Sequence, residues 1–576
     1  MAKALKYFEN AIALDQKKDT YFYNYANTLQ AMGKFKLAID QYKNTLAINP
    51  DNALAHNNLG IVLTEWDHFD EAKLHYKKAI ELQPDFTDAL HNLFQYYEAN
   101  GETEQSSITL SQLGQTCPNN AHIELKQSQV FPLVTQSEKD IATCVKKLED
   151  EIDKINPADL TLKEIVKYDL SFPSIAIYYG LDDVALRKKY AALFNSVIKP
   201  LPAHAKKPQG EKPNIAFIVT RGHEGVFIKC MAGLIKQLPA TVNCTIVCSS
   251  VNGKLVLKKD LPDEHYLEID KDIEEAAQQI YKQNFDILYY WEVGTDCTNY
   301  FLPYFKAARV QVGCWGWPST SGIEAMDYFL SSESLESKDA ENNYTEKLIK
   351  LARLPVYYYR PPVPEESLSK SHFGFQDEHH LYLCAQNLRK VQPQMDEVFI
   401  QILQQDEHAQ VLFIDDKREN ITQLLKDRLH SKCAVSGGSK NSSTDLFQRI
   451  HFISRKPAQE YLALVKTVDV ILDTFHYTGG ANTNYDAFAA ATPVVTLPSA
   501  LHRGCYTYAA YQQIDYLECV AKDASDYVRI AVALANDAAF NARASQAVLT
   551  GCKDVLEDQL AVDLFVENVF EICASL

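Results

Sequence analysis

The sequence has no closely paired cysteines and no long apolar run. Its 13 cysteines lie singly, without a Cys-x-x-Cys pair, so the spacing typical of a zinc site or a disulfide framework is missing. No stretch reaches the ~18 consecutive apolar residues of a membrane span. The first residues, MAKALKYFENAIALDQ, are amphipathic and carry acidic groups, unlike a signal peptide. These absences predict a cytoplasmic protein that has no membrane span and needs no metal.

The chain also lacks an excess of positive charge. It has 57 lysines and arginines against 75 aspartates and glutamates, which gives a net charge of −18. Binding to a nucleic-acid backbone needs a basic face, so this balance argues against a nucleic-acid partner. A sugar nucleotide needs only a few positive groups in one cleft and is not excluded. The 576 residues, 46% of them apolar, suffice for three or four folded domains of ~150 residues each.

What the sequence does contain is a repeat with a period of 34 residues near its start. The positions that recur at this offset are Asn24, Asn58 and Asn92; Pro50, Pro84 and Pro118; Ala38 and Ala72; and Tyr42 and Tyr76. This is the period of tetratricopeptide repeats, whose unit is a pair of helices. Small residues such as Gly60 let the helices approach, and Pro84 ends the second one. We therefore predict an all-α solenoid of roughly three and a half units over residues 1–125.

The recurring asparagines admit two interpretations. Asparagine side chains on the first helix of each repeat could line a concave face and bind the backbone of an extended peptide. Alternatively, each amide could bond only to a neighbouring helix. Helix packing alone does not ask for an amide at every repeat, and the sequence leaves both interpretations open.

The rest of the chain changes character twice. Residues 126–205 have helical periodicity and predict a connector, which ends in a proline-marked basic linker. Beyond it, short β-rich runs alternate with helical stretches. The runs form two sets, namely 214–220, 244–250, 286–291, 310–315 and 328–332, then 381–385, 411–415, 450–454, 468–473 and 493–498. Apolar strands alternating with helices indicate parallel sheets covered on both faces. The sequence thus predicts an α/β region of two Rossmann-like lobes that face a cleft, at residues 206–355 and 356–576.

Ligands of such sheets bind at the carboxyl ends of the strands. One loop in that position reads HYTGGANTNYDAF. Its Gly479 and Gly480 permit a tight turn with outward backbone N–H groups, and Asn482 or Thr483 could cap a following helix. A helix N-terminus attracts anions, and Asp486, one turn on, could accept a hydrogen bond from a ribose hydroxyl. A purely structural capping turn would have the same composition, so the loop alone does not decide between the two.

A second loop of the same lobe, CAQNLRKVQPQ, carries Lys390 between Asn387 and Pro393. An ammonium group at this edge could neutralise a departing diphosphate through charge-assisted hydrogen bonds. A solvated surface lysine is the alternative. Two anion-ready loops on one sheet edge favour the functional interpretation.

The first lobe offers a different set of groups in its loops. His223 follows one predicted strand, and Glu292 and Asp296 follow another. A histidine beside carboxylates in a cleft can act as a base or orient a hydroxyl. The loop GCWGWPSTSG contributes Pro318 and Thr320 among aromatic and hydroxyl side chains that suit contacts to a sugar.

Together these stretches resemble the family of O-linked N-acetylglucosamine transferases and their SPINDLY-like relatives. The resemblance covers nearly the whole chain and is most specific in residues 311–328, 387–393 and 472–498. It implies tetratricopeptide repeats fused to a GT-B catalytic region. It also implies an inverting, metal-independent transfer of a sugar from a nucleotide sugar to Ser or Thr of a protein acceptor, which the repeats help to bind. No cofactor is implied beyond the nucleotide sugar itself.

The resemblance implies roles for individual residues as well. Lys390 would contact the donor diphosphate, and His223 would lie on the acceptor side. The substrate-binding candidates are Asn387, Lys456, Tyr461, Gly479, Gly480, Asn482, Thr483, Asp486, Glu292, Pro318 and Thr320. Within this set, Lys456 and Tyr461 fall in the family's base-binding stretch and Asp486 would hold the ribose.

The chain departs from the animal members of that family in three places. They carry His-Thr-Thr where this chain has Ala481, Asn482 and Thr483, an arginine near Leu464, and a histidine where this chain reads SFPSIAIYYG. UDP-N-acetylglucosamine is the first expectation for the donor, and GDP-fucose and UDP-glucose stay open. A catalytically inactive, repeat-based adaptor is the alternative from another functional class.

Overall fold

The computed structural model describes residues 2–66, 68–207, 210–436 and 446–576. The chain divides into two compact units, Met1–Pro132 and Leu133–Leu576. Each unit has a hydrophobic core of its own.

The first unit is a run of helices in which consecutive members pack against each other. Its helices are Ala2–Leu14, Asp19–Ala31, Phe35–Ile48, Ala53–Glu65, Phe69–Leu82, Thr87–Asn100, Thr103–Thr116 and Ala121–Ser128. A glycine is needed where two of them meet, because a Cβ at Gly60 would lie 2.6 Å from Cε1 of Tyr76. The helical solenoid predicted from the 34-residue period is confirmed.

Asparagines join successive repeats. The side-chain amide of Asn58 donates to Tyr23 Oη at 3.0 Å and to Asn27 Oδ1 at 3.1 Å. The amide of Asn92 donates to Asn57 Oδ1 at 2.9 Å. In each case the acceptor lies on the first helix of the preceding repeat. The structure therefore shows the second of the two interpretations of these residues, in which each amide bonds to a neighbouring helix.

The second unit begins with the helical connector. Its α-helices and 3-10 turns are Glu138–Ile152, Pro157–Asp159, Leu162–Lys167, Ser174–Tyr179 and Val184–Ala192. A buried ion pair lies at the last helix, where Arg187 Nε is 2.5 Å from Asp183 Oδ2.

A seven-stranded parallel sheet follows, in the order β3-β2-β1-β4-β5-β6-β7. Its strands are β1 Asn214–Val219, β2 Asn243–Cys248, β3 His265–Glu268, β4 Ile287–Tyr290, β5 Val310–Cys314, β6 Tyr328–Ser332 and β7 Lys347–Leu351. The helices and turns between them are Glu224–Lys236, Val251–Leu257, Ile273–Tyr281, Cys297–Phe301, Leu302–Phe305 and Ala340–Asn343. We refer to this part as the first lobe.

The second lobe contains a five-stranded parallel sheet in the order β10-β9-β8-β11-β12. Its strands are β8 His380–Cys384, β9 Ala409–Ile414, β10 Ile450–Ile453, β11 Val470–Leu472 and β12 Val494–Val495. Its longer helices are Gln394–Gln405, Glu419–Ser436, Ala458–Thr467, Gly480–Ala489, Tyr506–Gln513, Ala524–Asn536, Ala538–Val555 and Gln559–Ala574, with short 3-10 turns at Lys370–Phe373, Leu388–Lys390 and His502–Gly504. The predicted α/β class with two parallel sheets is confirmed.

Two strands escaped the sequence pattern, although every predicted run overlaps a strand. β3 and β7 lie at the two edges of the first sheet. β3 reads HYLE and is partly exposed along its length, while β7 reads KLIKL, with lysines at its first and fourth positions. Edge strands are solvated on one side, so they lack the continuous apolar run that marked the inner strands.

The last helix, Gln559–Ala574, packs on the first sheet although the segment before it belongs to the second lobe. The ring centroid of Phe565 lies 6.3 Å from that of Phe217 in β1 and 5.6 Å from that of Tyr289 in β4. The core of the first lobe is therefore completed by a side chain of the helix Gln559–Ala574.

Within the described ranges, no helix combines the length and the apolarity that crossing a bilayer requires.

Candidate active site

Lys390 lies at the carboxyl edge of the second sheet, in the turn that follows β8. Its ammonium group donates to the carbonyl oxygen of Thr478 at 3.1 Å and to Gln386 Oε1 at 3.2 Å, and it lies 4.2 Å from the ring centroid of Tyr477. Burial lowers the pKa of Lys390 to about 8, and the charge of nearby Asp473 opposes this effect. The Lys390 ammonium group is thus held by two neutral hydrogen-bond acceptors and by the face of an aromatic ring.

Asn387 acts on Lys390 through the backbone. Its Oδ1 accepts a hydrogen bond from the Arg389 amide at 3.1 Å, which caps the turn Leu388–Lys390. The side chain is exposed. The structure gives Asn387 a capping role, and its predicted contact to substrate stays a prediction.

The glycine turn is organised by a buried carboxylate. Asp473, at the end of β11, accepts hydrogen bonds from the amide of Gly479 at 2.8 Å and from Thr496 Oγ1 at 3.0 Å. Burial raises the pKa of Asp473 to about 6, and these bonds limit the rise, so the group is ionised at neutral pH. Asp473 therefore fixes the backbone of the turn next to Lys390.

The helix after the turn begins earlier than the sequence suggested. It spans Gly480–Ala489 with Gly479 at the N-cap, where no side chain caps it. The predicted cap by Asn482 or Thr483 is therefore wrong, because both residues already lie inside the helix. Gly480 has φ +61°, which favours glycine, and a Cβ there would meet no atom within 4 Å. The first turn of the helix leaves its N–H groups without intrahelical partners, as an anion site requires.

Asp486 faces the first lobe from the same helix. Its Oδ2 lies 3.9 Å from Lys229 Nζ on the helix Glu224–Lys236. Burial raises the pKa of Asp486, while Lys229 and a hydrogen bond from Tyr358 lower it. Asn482 also contacts the first lobe, because its Oδ1 accepts a hydrogen bond from Cys230 Sγ at 3.9 Å, and it accepts a second one from Tyr358 Oη at 3.2 Å. Both residues lie where the two lobes approach.

Tyr461 and Lys456 lie near the start of the helix Ala458–Thr467. Burial raises the pKa of Tyr461, and the charge of Asp486 adds a smaller effect. Lys456 forms an ion pair with Glu460 at 2.8 Å. Tyr461 thus lies within the electrostatic influence of Asp486, while Lys456 pairs with a residue of its own segment.

In the first lobe, His223 and Glu292 form a pair. They follow β1 and β4, which are neighbours in the sheet, so their loops meet at its carboxyl edge. His223 Nδ1 lies 2.9 Å from Glu292 Oε2, and this hydrogen bond raises the pKa of His223 against the opposing effect of burial. The nearby Asp296 caps the helix Cys297–Phe301, and burial raises its pKa to about 6.

Two tyrosines link the lysine side of the site to the histidine side. The rings of Tyr178 and Tyr477 meet edge to face, with centroids 5.1 Å apart. Tyr477 also carries Lys390 on its ring face. Burial raises the pKa of Tyr178, and Glu292 adds to the rise while Arg389 opposes it, which places this ring within electrostatic reach of both lobes. The connector therefore contributes a wall of the cleft.

Pro318 and Thr320 lie in the loop after β5, and both are buried. Thr320 Oγ1 donates to Glu346 Oε2 at 2.6 Å and approaches Thr345 Oγ1 at 2.9 Å. Ser321 donates to the other carboxylate oxygen of Glu346. These bonds give Thr320 a structural role in the loop, and its predicted contact to a sugar stays a prediction.

The arrangement can hold an anion between a lysine and a helix N-terminus and can offer a histidine base opposite. Within the described residues no group of three or more His, Cys, Asp or Glu side chains could hold a metal ion. The sequence missed Asp473, Gln386, Tyr178 and Tyr477. Asp473 ends an apolar run, so it resembled part of the strand. The one available signal was its position as a polar residue directly after a buried strand.

Matches to known protein families cover separate parts of the chain. Residues 363–554 match the model described as glycosyl transferase family 41. Residues 19–85 and 75–106 match tetratricopeptide repeat models. The family match spans the second sheet together with Lys390, Asp473 and the glycine turn.

Curated relatives extend the comparison. A protein of Eustoma exaltatum subsp. russellianum named probable UDP-N-acetylglucosamine–peptide N-acetylglucosaminyltransferase SPINDLY is 24% identical over 269 residues, which are 46% of this chain and 28% of the relative. An Arabidopsis thaliana protein with the same enzyme name, SEC, is 22% identical over 245 residues, 41% of this chain and 23% of the relative. The chain matches about a quarter of the length of these relatives.

Among solved structures, a Thermobaculum terrenum O-GlcNAc transferase mutant superimposes with a TM-score of 0.68. It is 19% identical and the match covers 97% of this chain and 98% of that one. At this identity the match shows the fold, which is the GT-B arrangement behind helical repeats.

Proposed function

We propose that this chain, whose residues 363–554 match the model of glycosyl transferase family 41, transfers a sugar from a nucleotide sugar to a protein acceptor. The donor we propose first is UDP-N-acetylglucosamine, the donor in the names of the curated relatives. GDP-fucose and UDP-glucose are the alternative donors, because Ala481 and Asn482 differ from the residues that the animal members of the family carry. The repeats would bind part of the acceptor polypeptide.

One observation carries this proposal. Lys390 is held against the glycine turn by its bond to the Thr478 carbonyl, 3.1 Å away, and the turn opens the helix Gly480–Ala489. A cation and a helix N-terminus at one point form a site for a diphosphate. A binding scaffold would have no need to bury an ammonium group whose pKa is lowered to about 8.

The reaction we propose is a direct displacement that inverts the anomeric carbon. A Ser or Thr hydroxyl of the acceptor forms the new C–O bond as the bond from the anomeric carbon to the diphosphate breaks. The electron pair leaves with the diphosphate, where Lys390 and the turn at Gly479 stabilise the growing charge. The hydroxyl proton goes to His223, whose Nδ1 is engaged by Glu292 and whose Nε2 can accept it. No step requires a metal.

The histidine must be neutral to accept a proton. Its hydrogen bond to Glu292 raises the pKa of His223, which makes it a stronger base and also keeps it protonated to a higher pH. Activity should therefore be lost as the pH falls through this pKa. Lys390, with its pKa lowered to about 8, should lose its charge as the pH rises.

The test is incubation of the full chain with a mixture of sugar nucleotides and candidate acceptor proteins, followed by mass measurement. A mass increase of one N-acetylhexosamine supports the first donor, and an increase of one deoxyhexose or hexose supports an alternative donor. No transfer from any sugar nucleotide would overturn the proposal.

The rival function is a repeat-based adaptor that has lost activity. A thermal-shift panel tests whether the chain binds a nucleotide. A ligand at a hundredfold excess over its dissociation constant raises the free energy of unfolding by about 2.7 kcal/mol. Stabilisation by UDP or GDP is expected for the transferase. An adaptor would show no shift with any nucleotide.

A further inference from the structure

A loop of the second lobe is held by the first lobe and in turn holds the glycine turn. This clamp loop comprises residues 501–506, between β12 and the helix Tyr506–Gln513. His502, Arg503 and Tyr506 are all buried within it. None of them is among the predicted donor-binding residues.

The first lobe binds the clamp loop through a contact to His502. Glu336 lies between β6 and β7, and its Oε1 atom is 2.7 Å from His502 Nδ1. The same oxygen accepts hydrogen bonds from Ser331 Oγ at 2.6 Å and from Tyr344 Oη at 2.7 Å. Burial opposes ionisation of Glu336, but His502 and these donors hold its pKa below the ordinary value. The pair is therefore a fully buried bond between the two lobes.

Hydrogen-bond partners lie on both sides of the His502 imidazole. Tyr506 Oη donates its single proton to the carbonyl of Trp315, 2.5 Å away, because a carbonyl can only accept. The oxygen of Tyr506 lies 3.2 Å from His502 Nε2, on the side of the ring away from Glu336. Nδ1 donates to the Glu336 carboxylate. Both ring nitrogens of His502 are therefore engaged, Nδ1 by the Glu336 carboxylate and Nε2 by Tyr506 Oη.

The connector also binds the clamp loop, at the residue that follows His502. Arg503 Nη2 donates to the carbonyl of Leu181 at 2.6 Å and lies 3.7 Å from Asp183 Oδ1. The loop is therefore fixed by side chains from two other parts of the second unit.

From the clamp loop the contacts continue to Lys390. The Thr478 amide donates to the carbonyl of Arg503 at 2.9 Å, and the Tyr506 amide donates to Thr478 Oγ1 at 3.2 Å. The carbonyl of Thr478 then accepts the hydrogen bond from Lys390. One residue thus joins the clamp loop to the lysine.

We propose that Glu336 and His502 are positioning residues for sugar transfer: their ion pair fixes the clamp loop, the loop fixes Thr478, and Thr478 fixes the ammonium group of Lys390. The catalytic half of this inference rests on the proposed function. Its structural half does not, because it concerns only the order of the turn. Binding energy stays largely intact when a positioning contact is lost, whereas stabilisation of the transition state depends on placement within fractions of an ångström.

The first test measures amide hydrogen exchange in Glu336→Gln, which keeps the size of the side chain and removes its charge. We expect exchange in a peptide covering residues 476–483 to accelerate about fivefold or more, because the Thr478 amide loses its fixed acceptor. Asp286→Asn is the matched control, since Asp286 is equally buried and charge-paired but precedes β4 at the opposite end of the sheet. It should leave residues 476–483 unchanged.

The second test is a kinetic double-mutant cycle. Glu336→Gln should lower kcat about tenfold and change the KM for the donor less than about threefold. In a Lys390→Ala background the same substitution should cost less than about twofold, because the residue through which it acts is already gone. A merely structural role would give equal losses in both backgrounds. His502→Gln serves as the second variant if Glu336→Gln does not fold.

The outcomes separate the two proposals. Unchanged exchange at residues 476–483 in both clamp variants overturns the clamp, whatever the activity. Additive losses of kcat in the cycle overturn the link to Lys390. A wild-type chain that transfers no sugar overturns the proposed function, and the exchange result still decides whether the ion pair orders the turn.

Discussion

Replacing Lys390 by alanine should remove activity without removing the fold. In the described residues Lys390 makes no ion pair with a carboxylate at hydrogen-bond distance; its ammonium group bonds to two neutral oxygens, of Thr478 and Gln386. Its charge is therefore available to the leaving diphosphate. Because the charge on that group grows in the transition state, the loss should fall on turnover more than on donor binding.

The expected magnitude follows from the loss of one preorganised donor. Such a loss costs about 10²–10³ in kcat, or about 2.7–4 kcal/mol of transition-state stabilisation. With its pKa lowered to about 8, the lysine is about nine-tenths protonated at pH 7. Almost the whole wild-type population carries the charge, so the full loss should be seen at neutral pH.

The same substitution should not lower the free energy of unfolding. Lowering the pKa of a lysine from its ordinary ~10.4 to about 8 means that burial penalises the charged form by about 3 kcal/mol. Lys390→Ala relieves this penalty and loses some packing, so the free energy of unfolding should stay equal or rise. The penalty acts below the folded-state pKa and fades as the pH rises from about 8 towards ~10.4, so any advantage of the variant should shrink over that window.

The assay is the initial rate of sugar transfer at saturating donor, read by mass, beside chemical denaturation of the same samples. Lys370→Ala is the matched control, because Lys370 bonds Asp469 near the start of β8, at the other end of the strand. The control should lose stability and keep its rate. A Lys390→Ala rate within about threefold of wild type would refute the assignment of Lys390.

Three further predictions concern other residues. Glu292→Gln should move the acidic limb of kcat/KM to lower pH, since the bond to Glu292 raises the pKa of His223; an unmoved limb would exclude His223 as the base. Gly480→Ala should lower the free energy of unfolding by about 1 kcal/mol, because φ +61° disfavours a side chain even in open space; equal stability in denaturation would contradict this. Gly60→Ala should cost about 1–3 kcal/mol in the repeat unit through its clash with Tyr76, and an unaltered melting transition would show that the helices can separate freely.

The sequence predicted the fold wherever a short-range period carried the information. The 34-residue repeat located the helix pairs, and apolar runs located the inner strands. β3 and β7 were missed because edge strands need no continuous apolar run. The cap at Asn482 or Thr483 was misplaced because Gly480 starts the helix in a left-handed conformation, which composition does not reveal.

The candidate site was predictable only in part, for a related reason. Lys390 and the glycine turn stood out because both follow strands of one sheet. Asp473 did not, since a single acid at the end of VDVILD resembles a strand end. Tyr178 lies about 300 residues before Tyr477 in the chain, and only the tertiary structure brings their rings to 5.1 Å. Contacts of this kind leave no local pattern in a single sequence.

The return of the last helix to the first sheet makes that lobe a discontinuous piece of chain. Phe565 covers Phe217 and Tyr289, so an isolated segment 206–355 would expose those two rings to water. The polypeptide crosses between the lobes twice, once after β7 and once before Gln559–Ala574. Two covalent connections restrict the relative motion of the lobes more than one connection would. We therefore expect a cut at either crossing to loosen this restraint while both sheets keep their strands.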